Sequence, residues 1–255
     1  MSQKLSLSES FRAQGVELAQ RIAGLGLLGI RQSRGVIICG FPRSGSTLLQ
    51  LMLETAYPGS RHYGRERSGL FVVRHEWPGR HSLIISKRPN DVLRIDAIRS
   101  AYGRRARKPC FIVTTRDPRA ILTSKHSGRE GYYVSVDRWR TLYERVKYVR
   151  QSPDVVAVEY RDLVERPAAV QHKLVAAIGE EPTASFDAFD GAVPPGFDTR
   201  ALNGVRPLDT SALHKWRNSE HHERIRSLLA TMPELTDVLV AEGYELDDSW
   251  THEYR

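Results

Sequence analysis

Cysteine is scarce: Cys39 and Cys110 are the only two in 255 residues. So few exclude a disulfide-stapled fold. Each falls inside an apolar segment read as a core strand, outside any metal-ligand spacing, so both are expected to be buried reduced thiols in a reducing compartment. Long apolar runs are missing as well. The Gly-rich run from Ile22 to Ile30 is far shorter than the ~20 residues that cross a bilayer, and no Lys/Arg-rich leader precedes it. Stable membrane insertion is therefore not expected. Internal repeats, low-complexity tracts and metal-ligating clusters are absent, and no metal is expected. Acidic residues are in deficit, 30 against 38 Lys and Arg, for a net charge of +8. That balance favours anionic partners without choosing among nucleotides, acidic substrates and surfaces. Hydrophobic content of 40% and charged content of 27% are those of a globular chain.

What the sequence does have is concentrated in residues 35 to 53. Val36 to Cys39 is an apolar run of parallel-strand length. A turn follows, Gly40-Phe-Pro-Arg-Ser-Gly45, and then a helical apolar pattern at Leu48, Leu49, Leu51, Met52 and Leu53. Strand, glycine-bounded loop and helix start together hold a phosphate, because backbone N–H groups and the helix N-terminus face the anion. Gly40, Gly45 and Thr47 match the triphosphate-loop pattern, but Ser46 stands where the lysine belongs. That lysine reaches the outer phosphates of ATP or GTP. Arg43 supplies a cation three residues earlier, which suits a shorter anionic group.

Phe41-Pro-Arg-Ser-Gly-Ser-Thr-Leu48 resembles the 5′-phosphosulfate loop of the sulfotransferases that use 3′-phosphoadenosine 5′-phosphosulfate (PAPS). Arginine after the proline is closer to the tyrosylprotein, carbohydrate and bacterial branches than to the cytosolic phenol and steroid branch. A second stretch, Cys110-Phe-Ile-Val-Thr-Thr-Arg-Asp-Pro-Arg-Ala-Ile-Leu-Thr-Ser124, reads as a strand ending at Arg116, with Asp117 as N-cap, Pro118 at the first helical position and Ser124 carried on the helix. Arg116 and Ser124 resemble the family's 3′-phosphate pair: a planar fork and a hydroxyl donor.

The remaining chain is read around these two stretches. Residues 5 to 30 form one or two helices with Phe11, Val16, Leu18, Ala19 and Ile22 apolar. Residues 60 to 80 are polar and rich in Arg and His, with Leu70 to Val73 the one short strand. Glu66 is the carboxylate expected to take the proton from the attacking group, with His62 and His75 as alternatives. Ser82 to Ile85 is a strand ending in Ser86-Lys-Arg-Pro-Asn90, and Lys87 resembles the family lysine that assists the sulfuryl group. Asp91 caps a helix through Ala101. The basic run Tyr102 to Pro109 precedes a strand and so falls at the amino edge of the sheet; it reads as a solvated loop, and no nucleic acid is expected. His126 to Tyr133 is loop-like, Asp137 starts a helix with Trp139, Leu142, Tyr143 and Val146 on one face, Asp154 to Tyr160 is a strand, and Asp162 caps a helix to Ile178. Tyr160 resembles the family's Tyr near the adenine. After a long loop over 180 to 210, Lys215, Trp216 and Arg217 resemble the Lys-Trp-Arg element of bacterial and carbohydrate members, and Arg206 is a further phosphate ligand.

The resemblance implies an α/β domain over 35–255, with a P-loop-like, mainly parallel sheet of about five strands flanked by helices, preceded by a helical extension over 1–34. It implies transfer of a sulfuryl group from PAPS to a hydroxyl or amine of a small-molecule, carbohydrate or natural-product acceptor. Arg43, Glu66 and Lys87 would be catalytic. Arg43, Ser44, Gly45, Ser46, Thr47, Leu48, Arg116, Ser124, Tyr160, Arg206, Lys215, Trp216 and Arg217 would bind the nucleotide. A bacterial, cytoplasmic enzyme is expected, and a homodimer is left open. The alternatives are a P-loop small-molecule kinase, or a non-catalytic relative that only binds nucleotide.

Overall fold

Four of the five apolar runs read above as strands fold as strands, and the four pair in parallel. The computed structural model describes residues 7–24, 33–103, 107–126, 130–202 and 204–254. Within them, β1 (Arg34–Gly40), β2 (Leu83–Lys87), β3 (Cys110–Thr115) and β4 (Val155–Glu159) lie in the order β2-β1-β3-β4. Every pairing is parallel, with Ile38 opposite Lys87 and Ile112, and Gly40 opposite Thr114. The sheet thus has four strands among the described residues, against an expected five.

Alternate residues of each strand face opposite layers. Ile37, Cys39, Phe111 and Val113 enter one core, with Trp139, Leu142 and Val146 of α6 (Val136–Val149), Leu228 of α9 (His222–Thr231) and Leu239 of α10 (Leu235–Ala241). Val36, Ile38 and Ile112 enter the other, with Leu49 and Leu53 of α2 (Ser46–Ala56) and Leu174 of α8 (Pro167–Ile178). Helices on both faces are what a parallel sheet requires. Both cysteines are buried free thiols, and burial pushes Cys110 up to about 11.

Several local expectations are corrected. Leu70 to Val73 belongs to a helix, α3 (Gly69–His75), in which the Ser68 hydroxyl accepts from the Leu70 N–H and Val72 and Val73 are buried. Gly69 is there because a Cβ would press on Ile37 and Ile98 at about 3.2 Å. Asp91 caps no helix. It is buried in a 3-10 turn (Pro89–Arg94) before α4 (Ile95–Tyr102), and accepts from the Gly69 N–H at 2.7 Å and the Ser68 hydroxyl at 3.1 Å, tying α3 to that turn. Asp117 does cap α5 (Pro118–Leu122), but Ser124 lies just beyond that helix. Glu159, rather than Asp162, caps α7 (Tyr160–Glu165); Pro167 then opens α8, because proline at a first helical position has no N–H to lose.

At the amino end, α1 (Leu7–Gly24) buries Val16 and Ala23 and leaves Phe11 and Leu18 exposed. The apolar run beyond it, and residues 104–106 and 127–129 of the two loops, lie outside the described residues. Arg107 pairs with Glu180 at 2.8 Å, so part of the basic run is bound to the amino edge of the sheet. Among the described residues no helix is long and apolar enough to cross a membrane.

Candidate active site

With β2 and β3 on either side of β1, the connections leave β1 in opposite directions, and the crevice at the carboxyl ends of β1 and β3 is where such a sheet takes ligands. Both motifs end there. Gly40 has φ +125°, and a Cβ on it would meet the Thr114 carbonyl oxygen at 2.3 Å; only glycine lets β1 turn out so close to β3. Gly45 has φ +81°, and its missing Cβ would lie 2.4 Å from the Tyr160 ring. Arg43 is the one non-glycine residue at positive φ among those described, +66°. Its carbonyl oxygen accepts from Arg116 Nη1 at 2.9 Å, which helps hold that unfavourable conformation. Ser44 is buried and spends its hydroxyl on the Phe41 carbonyl oxygen and Thr114 Oγ1, both at 2.6 Å. It fastens the loop and does not line the cavity. The first turn of α2 carries no acidic residue, and its Gly45 cap makes no side-chain bond to it, so the opening N–H groups have no partner within the helix.

Above the loop is a cavity of about 910 Å³. It collects most of the expected residues: Arg43, Gly45, Ser46, Thr47, Leu48, Glu66, Lys87, Arg116, Ser124, Tyr160, Arg206, Lys215 and Trp216. Arg217 lies outside it, stacked on Trp216 at 4.8 Å and 3.9 Å from Glu245. His75 and His62 also lie outside. His75 stacks on Phe71 and contacts its carbonyl, while Nδ1 of His62 faces Glu54.

Lys87 and Glu66 meet at 3.1 Å, the lysine buried and the glutamate more than half exposed. An exposed carboxylate beside a buried ammonium can take a proton on one side while charge is countered on the other. Asp198 comes from the distant loop, which docks through the Asp198 N–H onto the Gly64 carbonyl oxygen at 2.8 Å. Arg200 grips its carboxylate at 2.6 and 2.8 Å and holds it down at about 2, which makes Asp198 a poor base.

Arg116 is the electrostatic anomaly of the site. Burial pushes its pKa below the usual arginine value. Its Nη1 and Nη2 donate to the carbonyl oxygens of Arg43 and Ala212 at 2.9 Å, its Nε is buried with no partner, and its plane lies 4.3 Å from the Tyr160 ring. Among the described residues no carboxylate reaches it at ion-pair distance. Ser124 is beside it in the cavity, its hydroxyl turned back to the Ala120 carbonyl oxygen. Trp216 is almost sealed, held between the Arg119 guanidinium at 3.7 Å and Trp250 at 6.1 Å. It moors the segment that brings in Lys215 and offers little surface to a ligand.

Four features of the lining were not among the expected site residues. Lys125, paired with Glu220 at 2.7 Å, and Tyr133, under Arg43 at 5.9 Å, come from the loop after α5. Asp198 arrives by docking of a remote loop. Gln50 is buried against the floor and donates from Nε2 to Glu54 Oε1 at 2.7 Å, and burial pushes Glu54 up to about 7. Only the last pair had a signal: two polar residues four apart on an otherwise apolar helix.

Residues 61–184 match the model described as the sulfotransferase family. That segment holds Glu66, Lys87, Arg116, Ser124 and Tyr160 and begins after the loop at 40–47. No curated protein matches the chain. Among solved structures, the sulfotransferase domain of the Synechococcus PCC 7002 olefin synthase is 19% identical, with a TM-score of 0.52, over 74% of this chain and 89% of that domain. The sulfotransferase domain from the curacin biosynthetic pathway is 18% identical, with a TM-score of 0.53, over 78% of this chain and 98% of that domain. At these identities the likeness is one of fold.

Proposed function

We propose, from the match of residues 61–184 to the sulfotransferase family, that this chain is a sulfotransferase and moves a sulfuryl group from PAPS to a hydroxyl or amine of a small-molecule, carbohydrate or natural-product acceptor. Adenosine 3′,5′-bisphosphate is the other product. The observation that carries this reading is Arg116: a half-buried cation with carbonyl partners, a sealed orphan Nε and no carboxylate at ion-pair distance, beside a loop of unpartnered N–H groups. Such a pair of features fits a nucleotide with anionic groups at two ends. The curacin neighbour comes from a biosynthetic pathway by its name, which favours a natural-product acceptor. A cytoplasmic setting for the two reduced thiols belongs to the same proposal.

The donor supplies the activated sulfuryl group and a bisphosphate leaving group. The N–H groups of Ser46, Thr47 and Leu48, with Arg43, hold the 5′ end and counter charge growing on the bridging oxygen. Arg116, Ser124, Arg206 and Lys215 hold the 3′-phosphate, and Tyr160 backs Arg116. Glu66 takes the proton of the incoming nucleophile. Its neutralisation loosens the contact with Lys87, whose ammonium then follows the charge on the sulfuryl oxygens. A kinase reading needs a lysine at position 46, where this chain has serine.

Calorimetry of adenosine 3′,5′-bisphosphate against ATP tests the proposal: the bisphosphate binds and ATP binds much more weakly. Tight ATP binding with none for the bisphosphate rejects it. Arg116→Ala weakens the bisphosphate about 100-fold, the loss of two charge-assisted hydrogen bonds, and leaves 5′-AMP nearly unchanged; equal losses remove the 3′-phosphate assignment. A labelled-sulfate assay over an acceptor panel then separates an enzyme from a binding protein.

A further inference from the structure

Below the cavity floor runs a buried polar chain that the reaction above does not use. Gln50 and Glu54 are one turn apart on α2, each about 1% exposed, in a helix whose other buried residues are mostly apolar. A buried carboxylate needs hydrogen-bond partners. Glu54 Oε1 accepts from Gln50 Nε2 at 2.7 Å, and Glu54 Oε2 lies 3.2 Å from His62 Nδ1. No guanidinium or ammonium touches Glu54; Lys87 on β2 acts on it through space, and Arg61 and His81 act likewise on His62. Burial disfavours the charged form of both Glu54 and His62, so their 3.2 Å contact is not a pair of full charges, and Glu54 Oε2 makes no hydrogen bond.

This chain fixes the Gln50 amide. Its NH₂ end is committed to Glu54, so the end left for the cavity is the carbonyl. Among the described residues no protein donor reaches Gln50 Oε1, and that atom is not among the sealed unpaired ones, although the side chain lines the cavity. A carbonyl oxygen repels the oxygens of sulfate and phosphate and attracts O–H and N–H. Resting on the sulfuryl-transfer reading, we propose that Gln50 is a specificity-determining residue that accepts a hydrogen bond from the incoming nucleophile, a hydroxyl or amine, and that Glu54 and His62 position it by holding its NH₂ end away from the cavity.

Selective ¹⁵N-glutamine labelling of the full chain gives a readout that needs no known acceptor. The Gln50 side-chain NH₂ pair is assigned by its loss in Gln50→Met. In the wild type it exchanges with solvent about tenfold more slowly than exposed glutamine side chains and keeps its shift when adenosine 3′,5′-bisphosphate binds. In Glu54→Gln the new amide can donate to Gln50 Oε1, the Gln50 NH₂ turns to the cavity, and protection is lost. Hydrolysis of PAPS, with water as the nucleophile, falls about fivefold in Gln50→Met, and the Kd of the bisphosphate changes by less than about twofold. Free exchange of the Gln50 pair in the wild type, a shift on bisphosphate binding, undiminished hydrolysis in Gln50→Met, or a bisphosphate Kd raised tenfold there overturns the proposal. Failure of the wild type to bind the bisphosphate is a different result, read in its own arm; it rejects the sulfuryl-transfer reading and this proposal with it.

Discussion

Replacing Glu54 by glutamine keeps its shape and removes its charge. Burial raises the Glu54 carboxyl from 4.5 to about 7 in the folded chain, with the Gln50 hydrogen bond and the Lys87 charge opposing the shift. The side chain has no solvent exposure, so no screening reduces the effect. The sign follows from proton binding. Between pH 4.5 and 7 the folded chain keeps a proton that the unfolded chain releases, so stability falls as pH rises through this window. Above about pH 7 the full penalty is present. At 1.36 kcal/mol per pKa unit, it amounts to about 3 kcal/mol. Glutamine at position 54 never ionises and escapes it, while keeping a bond to Gln50. Glu54→Gln is therefore near wild-type stability at pH 4.5 and about 2–3 kcal/mol more stable at pH 8. Urea denaturation at both pH values, with slopes compared to confirm a common unfolded state, measures the difference. A stability difference that does not change between pH 4.5 and 8, or a variant weaker at pH 8, refutes the reasoning.

Gly45→Ala meets the Tyr160 ring at 2.4 Å and a φ of +81°; the left-handed conformation alone costs about 1–2 kcal/mol, so the melting temperature falls and bisphosphate binding in calorimetry is lost with it. Arg119→Ala takes the buried guanidinium away from the half-buried carboxylates of Asp117 and Glu245 and strips the face of Trp216. About 3–5 kcal/mol of stability is lost by urea titration, and a loss under 1 kcal/mol would remove Arg119 from the scaffold. Glu66→Gln lowers the rate of sulfuryl transfer about 100-fold or more with the bisphosphate Kd unchanged; a full rate leaves the proton to some other group.

The fold was legible where the signal is local. Buried parallel strands are continuous apolar runs, so Val36 to Cys39, Leu83 to Ile85, Phe111 to Val113 and Val155 to Val158 stand out without any structure. Leu70 to Val73 is equally apolar and equally short, and periodicity cannot separate strand from helix over four residues. The deciding facts are the Ser68 cap and the anchorage of Gly69 on Asp91, a contact across 22 positions of sequence. The same division runs through the site. The glycine loop and Arg116 sit at strand ends and announce themselves. Asp198 and Lys125 reach the cavity through the docking of loops, which no spacing reveals. Gln50 and Glu54 were visible as a polar interruption of an apolar helix, but only their burial shows that the interruption points inward.

Arg116 and Arg119 show why residue type alone could not assign roles. They stand three positions apart at one strand-to-helix turn, both are desolvated, and both lie against an aromatic ring. Arg119 is matched by two carboxylates, Asp117 and Glu245, and its guanidinium is shut between Trp216 and Trp250. Nothing remains for a ligand, and its work is to fix the C-terminal segment. Arg116 has carbonyl oxygens where Arg119 has carboxylates. A carbonyl satisfies a donor but does not neutralise a charge, so Arg116 stays a cation in search of an anion. Its two present acceptors belong to the loop at Arg43 and the segment at Ala212, the two walls between which the nucleotide is proposed to enter. An arriving phosphate therefore competes with Arg116's own contacts, and part of the binding energy goes into replacing them. The gain is the difference between a charge–charge bond and a charge–carbonyl bond, which is what makes the 3′-phosphate, and not the nucleoside, the group this site should discriminate.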